Sequence, residues 1–173
     1  MAIVIDGTSG ISGVDGSAGT PAVQGTDTNT GIYYSAADTV DVATGGVQRG
    51  QFDSSGNFKF NSGYGSVATA YGCRAWVNFN GTGTVAIRAS GNVTSITDNG
   101  AGDYTVNFTT AITDVNYAVN ITTSIQGTTS TNGGFMSTLS RNTTPAVGSV
   151  RIEMFTSTFA NADSLQVNVA IFR

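Results

Sequence analysis

A chain of 173 residues that contains one Glu, one Lys and two Leu lacks the material for helices. Those side chains, with Gln and Arg, lose least rotamer freedom on entering a helix, so a long-helix architecture is excluded by supply. Thr (26), Gly (23), Ser (17) and Asn (14) instead make up a little under half of the residues, which is what turns, strand edges and polar sheet faces consume. The expectation is an all-β protein, about one domain long. Its apolar fraction of 39% is below the usual range but sufficient for one modest core.

The same composition removes several chemistries. With no His and one Cys, histidine-based triads, zinc sites and an intrachain disulfide are all excluded. The net charge is −4 and the seven basic residues are scattered singly, so the footprint of a nucleic-acid binder is missing. No run approaches the 18 or more apolar residues of a membrane span, and the opening Met-Ala-Ile-Val-Ile-Asp is too short and uncharged for a signal peptide. Neither nucleic acid nor membrane insertion is expected. Charge also separates two halves: residues 1–72 hold two basic residues against six Asp, net −4, whereas residues 73–173 hold five Arg against four Asp and Glu153, net zero.

The first half is short-range and polar. Gly recurs at positions 7, 10, 13, 16 and 19 and returns at Gly25. A period of three is the collagen signature; with only Pro21 inside the run it reads as a glycine-rich extended segment, of a kind that favours a symmetric trimer because chains crowding an axis need residues without side chains. Strands are expected over residues 31–35, 39–43, 47–53 and 57–60, with a turn at Asp53-Ser54-Ser55-Gly56-Asn57. These strands are too polar to close a core alone, so their ordering entropy is offset only by pairing with copies or by docking. Residues 61–72, rich in Gly, Ser and Ala, serve as a neck. The expected organisation is thus an arm and stem over residues 1–60, a linker over 61–72 and a head over 73–173.

From Cys73 the pattern becomes strictly period two. Cys73, Ala75, Val77 and Phe79 alternate with Arg74, Trp76, Asn78 and Asn80. Val85, Ile87 and Ala89 form a second apolar series, followed by Tyr104, Val106 and Phe108, by Tyr117, Val119 and Ile121, by Val150, Ile152 and Met154, and by Leu165, Val167, Val169 and Ile171. Turn signals separate them at Asn80-Gly81, Asp98-Asn99-Gly100, Gln126-Gly127 and Asn132-Gly133-Gly134. About seven half-buried strands at this spacing predict an antiparallel β-sandwich or jelly roll.

Two stretches carry a family resemblance. Asp27-Thr28-Asn29-Thr30-Gly31-Ile32-Tyr33-Tyr34, with Ala37-Asp38-Thr39-Val40, Thr44-Gly45-Gly46, Arg49 and Asp53-Ser54-Ser55-Gly56-Asn57, resembles a segment of tail-fibre and related virion proteins of tailed bacteriophages. Cys73-Arg74-Ala75-Trp76-Val77-Asn78-Phe79-Asn80-Gly81, with Asp103-Tyr104-Thr105-Val106-Asn107-Phe108 and Asn116-Tyr117-Ala118-Val119, resembles a C-terminal module of such fibres. The resemblance implies a homotrimeric virion protein with extended, intertwined N-terminal strands and a globular β tip. Such fibres often run to several hundred residues. A chain of this length fits a short tail fibre or tail tip that attaches non-covalently to a host-surface glycan or protein, or else a trimeric capsid decoration protein. Ile3 and Ile5, in the opening apolar strand, are the candidates for attachment to the other virion proteins.

Candidate residues were weighed against plainer roles. Trp76 falls on the polar register beside Arg74, where an aromatic covers a subunit contact or offers a flat platform to a sugar; a trimer contact for Arg74 and Trp76 is the preferred reading. The loops over residues 126–134 and 141–144 supply hydroxyls, amides and a guanidinium on a rigid scaffold, as recognition loops do, and nominate Asn132, Phe135, Arg141 and Asn142 for receptor binding. A glycan depolymerase would need paired carboxylates, for which Asp98, Asp103 and Glu153 are the supply, but Asp beside Asn-Gly is a turn former and no enzyme is expected. Asp27-x-Asn29-x-Gly31 begins like a calcium loop but lacks a third side-chain oxygen and a downstream bidentate Glu. It reads as a turn, and no metal or other cofactor is expected. Cys73, on the apolar register, is expected to be a small buried hydrophobe.

Overall fold

The structure is a computed structural model that describes residues 4–7, 10–124 and 136–173, and every regular element among them is a β-strand. The chain divides into two units, Met1–Ala70 and Tyr71–Arg173.

The first unit opens with two antiparallel hairpins, β1 (Val4–Asp6) with β2 (Gly10–Ser12) and β3 (Gly16–Ser17) with β4 (Thr20–Pro21). The glycine period therefore builds hairpins and not an extended segment. Gly13 and Gly16 lie at φ 95° and 73°, far from the −75° of a collagen-type chain and in a region that side chains disfavour. Six strands follow as a sequential antiparallel meander: β5 (Val23–Gln24), β6 (Gly31–Tyr33), β7 (Val40–Thr44), β8 (Val47–Phe52), β9 (Phe58–Phe60) and β10 (Ala68–Thr69). The last lies within the stretch read as a neck; Ala68 pairs with Phe60 and Thr69 with Lys59. The β8–β9 turn forms where expected, because the Asp53 carboxylate accepts hydrogen bonds from the amides of Ser55 (3.0 Å) and Asn57 (2.9 Å) while Gly56 supplies φ 77°.

Register decides what each face of this meander carries. Ile32 faces Val42, Val42 faces Gly50, and Gly50 faces Phe60; two residues along, Val40 faces Phe52, which faces Phe58. These side chains share one face, and that face is open to solvent: Ile32 is 39% exposed, Val42 43% and Phe52 57%. The opposite face carries Tyr33, Asp41, Ala43, Gln51 and Lys59, of which Asp41 and Ala43 are fully buried. Asp41 accepts hydrogen bonds from the Ser35 amide (3.1 Å), the Ser35 hydroxyl (2.6 Å), the Gln51 amide group (2.8 Å) and the Gln48 amide group. Burial by itself would raise the pKa of this carboxyl; the hydrogen bonds from Ser35, Gln48 and Gln51 outweigh it and hold the pKa below the ordinary value.

Among the described residues the second unit is a two-sheet antiparallel sandwich of eight strands. They are β11 (Cys73–Asn80), β12 (Ala86–Gly91), β13 (Val93–Gly100), β14 (Asp103–Phe108), β15 (Ala118–Thr123), β16 (Met136–Leu139), β17 (Ser149–Phe155) and β18 (Val167–Phe172). One sheet runs β12-β11-β18-β15 and the other β13-β14-β17-β16. Ala75, Val77, Phe79, Val167, Val169 and Ile171 of the first meet Tyr104, Val106, Val150, Ile152 and Met154 of the second in one core. Phe79 and Tyr104 touch edge to face across it, with centroids 5.2 Å apart. The Tyr104 hydroxyl lies within hydrogen-bonding distance of the Gly81 carbonyl (2.7 Å) and Asp163 Oδ1 (2.5 Å). Burial first, and then Asp163, raise the pKa of this phenol well above its ordinary value.

Three expectations are corrected here, each beside a register shift of the kind a β-bulge makes, which inserts one unpaired residue and inverts the alternation beyond it. Ala89 is exposed although its series is apolar, because the bulge opposite Asn78 and Phe79 pairs Phe79 with Ile87 and Asn78 with Ala89. Cys73 is exposed and not buried, because the register of β11 on β18 shifts between Cys73 and Ala75. Asn99-Gly100 is not a turn: it belongs to β13, whose register on β14 shifts between Asp98 and Gly100, and the chain reverses at Ala101 and Gly102. Val119 keeps the predicted register but is half-buried, as befits edge strand β15.

Candidate functional site

Of the four residues nominated for receptor binding, Asn132 and Phe135 lie outside the described residues, as does Ile3. Arg141 and Asn142 sit in the turn after β16, and Arg141 is the residue around which a site is built. Its guanidinium lies 4.8 Å from the centroid of the Phe155 ring, a cation–π arrangement. Its Nε donates to Glu153 Oε2 at 3.4 Å. The other carboxylate oxygen of Glu153, a residue only 3% exposed, accepts from the Ser140 hydroxyl at 2.6 Å. Glu153 and Phe155 are two apart on β17 and so share its outer face. The alternation that sends Ile152 and Met154 into the core therefore also places this pair under Arg141. The Arg141 side chain remains 71% exposed, leaving most of its donors for a ligand.

Met136, Ser137, Thr138, Arg141, Phe155 and Phe159 line a cleft of about 480 Å³. Phe159 is the unusual member. It lies at φ 61° with its ring 74% exposed, a conformation that is costly for a bulky side chain. Hydrogen bonds from the Phe159 amide to the Thr156 carbonyl (3.0 Å) and from the Thr156 amide to the Ala160 carbonyl (2.8 Å) hold it there. The cleft thus offers an apolar ring, a stacked cation and the Thr138 hydroxyl within one small area, the Ser137 hydroxyl instead donating to the Ile121 carbonyl at 3.3 Å. That set suits a ring-shaped, hydroxylated ligand, with the guanidinium available to an anionic or carbonyl oxygen. Sequence reasoning found Arg141 and missed Phe155, Phe159 and Met136; an aromatic at the end of the polar run Thr156-Ser157-Thr158 was the signal available.

The trimer-contact candidates occupy the outer face of the other sheet. Trp76 is 44% exposed, and its indole lies so close over Gly91 that a Cβ there would overlap its Nε1. Beside it Asn78 donates to Asn168 at 2.5 Å and Asn168 donates to Thr122 at 3.3 Å, lining a smaller cleft of about 210 Å³. Arg74 is exposed on the same strand. Ile5 lies in β1 and pairs with Ile11.

The three weighed carboxylates all have structural partners. Asp98 accepts from the Gly100 amide at 3.0 Å. Asp103 stands directly opposite Glu153 on adjacent strands, where like charges repel, and each has its own cation. Arg151 donates to Asp103 through Nε (2.7 Å) and a terminal nitrogen (2.5 Å). The Arg151 hydrogen bonds lower the Asp103 pKa, the opposite of what a general acid in glycoside hydrolysis needs. In the segment resembling a calcium loop, Asp27 accepts from the Asn29 amide at 3.3 Å, as in a turn. Among the described residues no cluster of three metal-ligating side chains is found.

No protein-family model matches the sequence, and no curated protein matches it. Among solved structures there is a likeness to a phage tailspike. It is the crystal structure of the phiAB6 tailspike in complex with three-repeated oligosaccharides of Acinetobacter baumannii surface polysaccharide, with a TM-score of 0.44 and 13% sequence identity over 90% of this chain. The chain spans 38% of that structure's length.

Proposed function

We propose that the chain is a structural protein of a phage virion, a short tail fibre or tail tip, that attaches as a homotrimer to a host-surface glycan or protein through its sandwich unit. The sequence segments from Asp27 and from Cys73, which resemble tail-fibre proteins, support the virion assignment. The observation that carries the attachment role is the exposed Arg141 stacked on Phe155 beside the outward Phe159. An aromatic held at positive φ in solvent contributes nothing to the core and matches what a recognition surface requires. In this reading Arg74 and Trp76 belong to contacts between copies, and the opening strand with Ile3 and Ile5 to attachment within the virion.

Two measurements test it. Gold-labelled antibody against the chain should decorate the tail of the phage particle that carries it; label on the capsid faces would replace the tail reading with capsid decoration. The purified full-length protein should bind host cells and compete with infection. Arg141→Ala combined with Phe159→Ala should weaken that binding at least tenfold while the melting temperature stays within a few degrees, and unchanged binding would remove this cleft from the proposal.

A further inference from the structure

The meander of the first unit is polar where it is covered and apolar where it is open. Antiparallel sheets with one solvated face normally show the reverse. Val40, Val42, Phe52, Phe58 and Phe60 are between 41% and 57% exposed, and Ile32 39%. The three rings form a contiguous row, with centroids 5.3 Å apart for Phe52 and Phe58 and 6.4 Å apart for Phe58 and Phe60. Phe58 also fills the space over Gly50, whose Cβ position is 3.6 Å from the ring edge, so the face is flat and continuous across β7, β8 and β9.

Its size can be judged. A phenylalanine presents about 200 Å² in all, so three half-exposed rings contribute about 300 Å². With Ile32, Val40 and Val42, each about two-fifths exposed, the patch reaches roughly 500 Å², toward the upper end of what monomeric proteins leave open. That is somewhat over half of one partner's share of a standard interface, roughly 800 Å².

We infer that this face is the contact surface between copies of the chain, three copies each turning it toward a shared threefold axis. The inference deepens the proposed homotrimer and rests on it. Three observations select a second copy as the occupant. The apolar residues of the face carry no charge, and the guanidinium at its margin, Arg49, donates to Thr44 at 3.0 Å, so most of the surface offers no sign for a charged partner to complement, whereas its apolar area packs against that of further copies. Of the acidic residues on the strands and turns that build this face, Asp41 lies buried on the opposite side and Asp53 is paired with Lys59 at 2.8 Å. The outer strands of the meander, Val23–Gln24 and Ala68–Thr69, are two residues each, which leaves little edge for strand exchange and makes the face the larger contact.

The test is the mass of the full-length protein in solution, by light scattering at micromolar concentration. The wild type should have the mass of a trimer, a dimer counting against the inference and the homotrimer alike, and Phe52→Ser with Phe58→Ser should raise its dissociation concentration at least a hundredfold. Calorimetry should show the sandwich of the double variant still melting as one cooperative unit. A monomeric wild type would overturn both the inference and the homotrimer; a double variant that keeps the wild-type mass would overturn the inference alone. Should the double variant fail to fold, Val42→Cys and Ser54→Cys, each in a Cys73→Ser background, decide the matter. The thiol at position 42 should react with a maleimide at least tenfold more slowly than the one at position 54, and equal rates would overturn the contact.

Discussion

The two units use the same sequence rule and put it to opposite use. In the sandwich, alternation sends Val77, Phe79, Ile152 and Val167 between two sheets, where each is at most 1% exposed. In the meander, alternation sends Val42, Phe52 and Phe58 outward and turns Asp41 and Ala43 inward. Period-two patterning therefore establishes that a strand has two unlike faces; it does not say which one will be covered. A second sheet from the same chain decides this in the sandwich, and a polar network around Asp41 decides it in the meander.

One type of substitution breaks the comparison most directly. Val167→Asp places an unpaired carboxylate in the closed core and should cost about 5 kcal/mol, comparable with a domain's whole stability, so insoluble protein is expected. Val119→Asp, on the half-buried edge strand, should cost about 2 kcal/mol and leave a soluble protein whose Trp76 fluorescence melts earlier. Val42→Asp should leave that melt unchanged and alter only the assembled mass. Equal loss at all three positions would mean that the meander closes a core of its own.

Glycines sharpen the same contrast. Gly102 lies at φ 63°, and a Cβ there would be 2.5 Å from the Met154 carbonyl oxygen and 2.7 Å from the Ala162 nitrogen, so Gly102→Ala should cost roughly 3 kcal/mol from strain and overlap together. Gly56 has φ 77° with nothing within 4 Å, and Gly56→Ala should cost only about 1 kcal/mol. Chemical denaturation of the two variants checks the ratio.

Acid should act on both units in the same direction. Asp41 and Asp103 have folded pKa values below the ordinary carboxylate value, Asp41 because its hydrogen bonds outweigh burial and Asp103 chiefly through its Arg151 hydrogen bonds. A lowered folded value adds stability that is present above the unfolded pKa, about 3.9, and lost as pH falls through the folded one. Stability should therefore be nearly level from about pH 5 to 8, since the chain has no His, and should fall below about pH 4. Denaturant midpoints measured across that range test this; a midpoint that drops between pH 8 and 5 would contradict it. The smallest effect expected is a gain. Phe159→Gly relieves a positive φ at an exposed position and should stabilise the sandwich by roughly 0.5 to 1 kcal/mol while weakening host binding.

How much of this was legible in the sequence can be followed residue by residue. The strand series Val77 and Phe79, Tyr104 and Val106, Val150 and Ile152, and Val167 and Val169 was readable because side-chain direction alternates strictly along a strand. Ala89 and Cys73 were misplaced because a bulge depends on the partner strand and leaves no mark in local composition. Arg141 was legible as a charged residue in a polar loop. Its ring partner Phe155 was not, since reading it requires the outer face of β17 and the pairing of β16 on β17.

By itself the sequence determined the all-β class, through the scarcity of helix-forming side chains, and the two-faced strands, through their alternation. It also marked the turns, such as the one at Asp53, because these are closed by side chains bonding to nearby backbone. Only the tertiary structure decided which faces are covered, where register shifts, and that Arg141, Glu153, Phe155 and Phe159 stand together. Those outcomes depend on contacts between residues distant in the chain, whose energies local patterns do not encode.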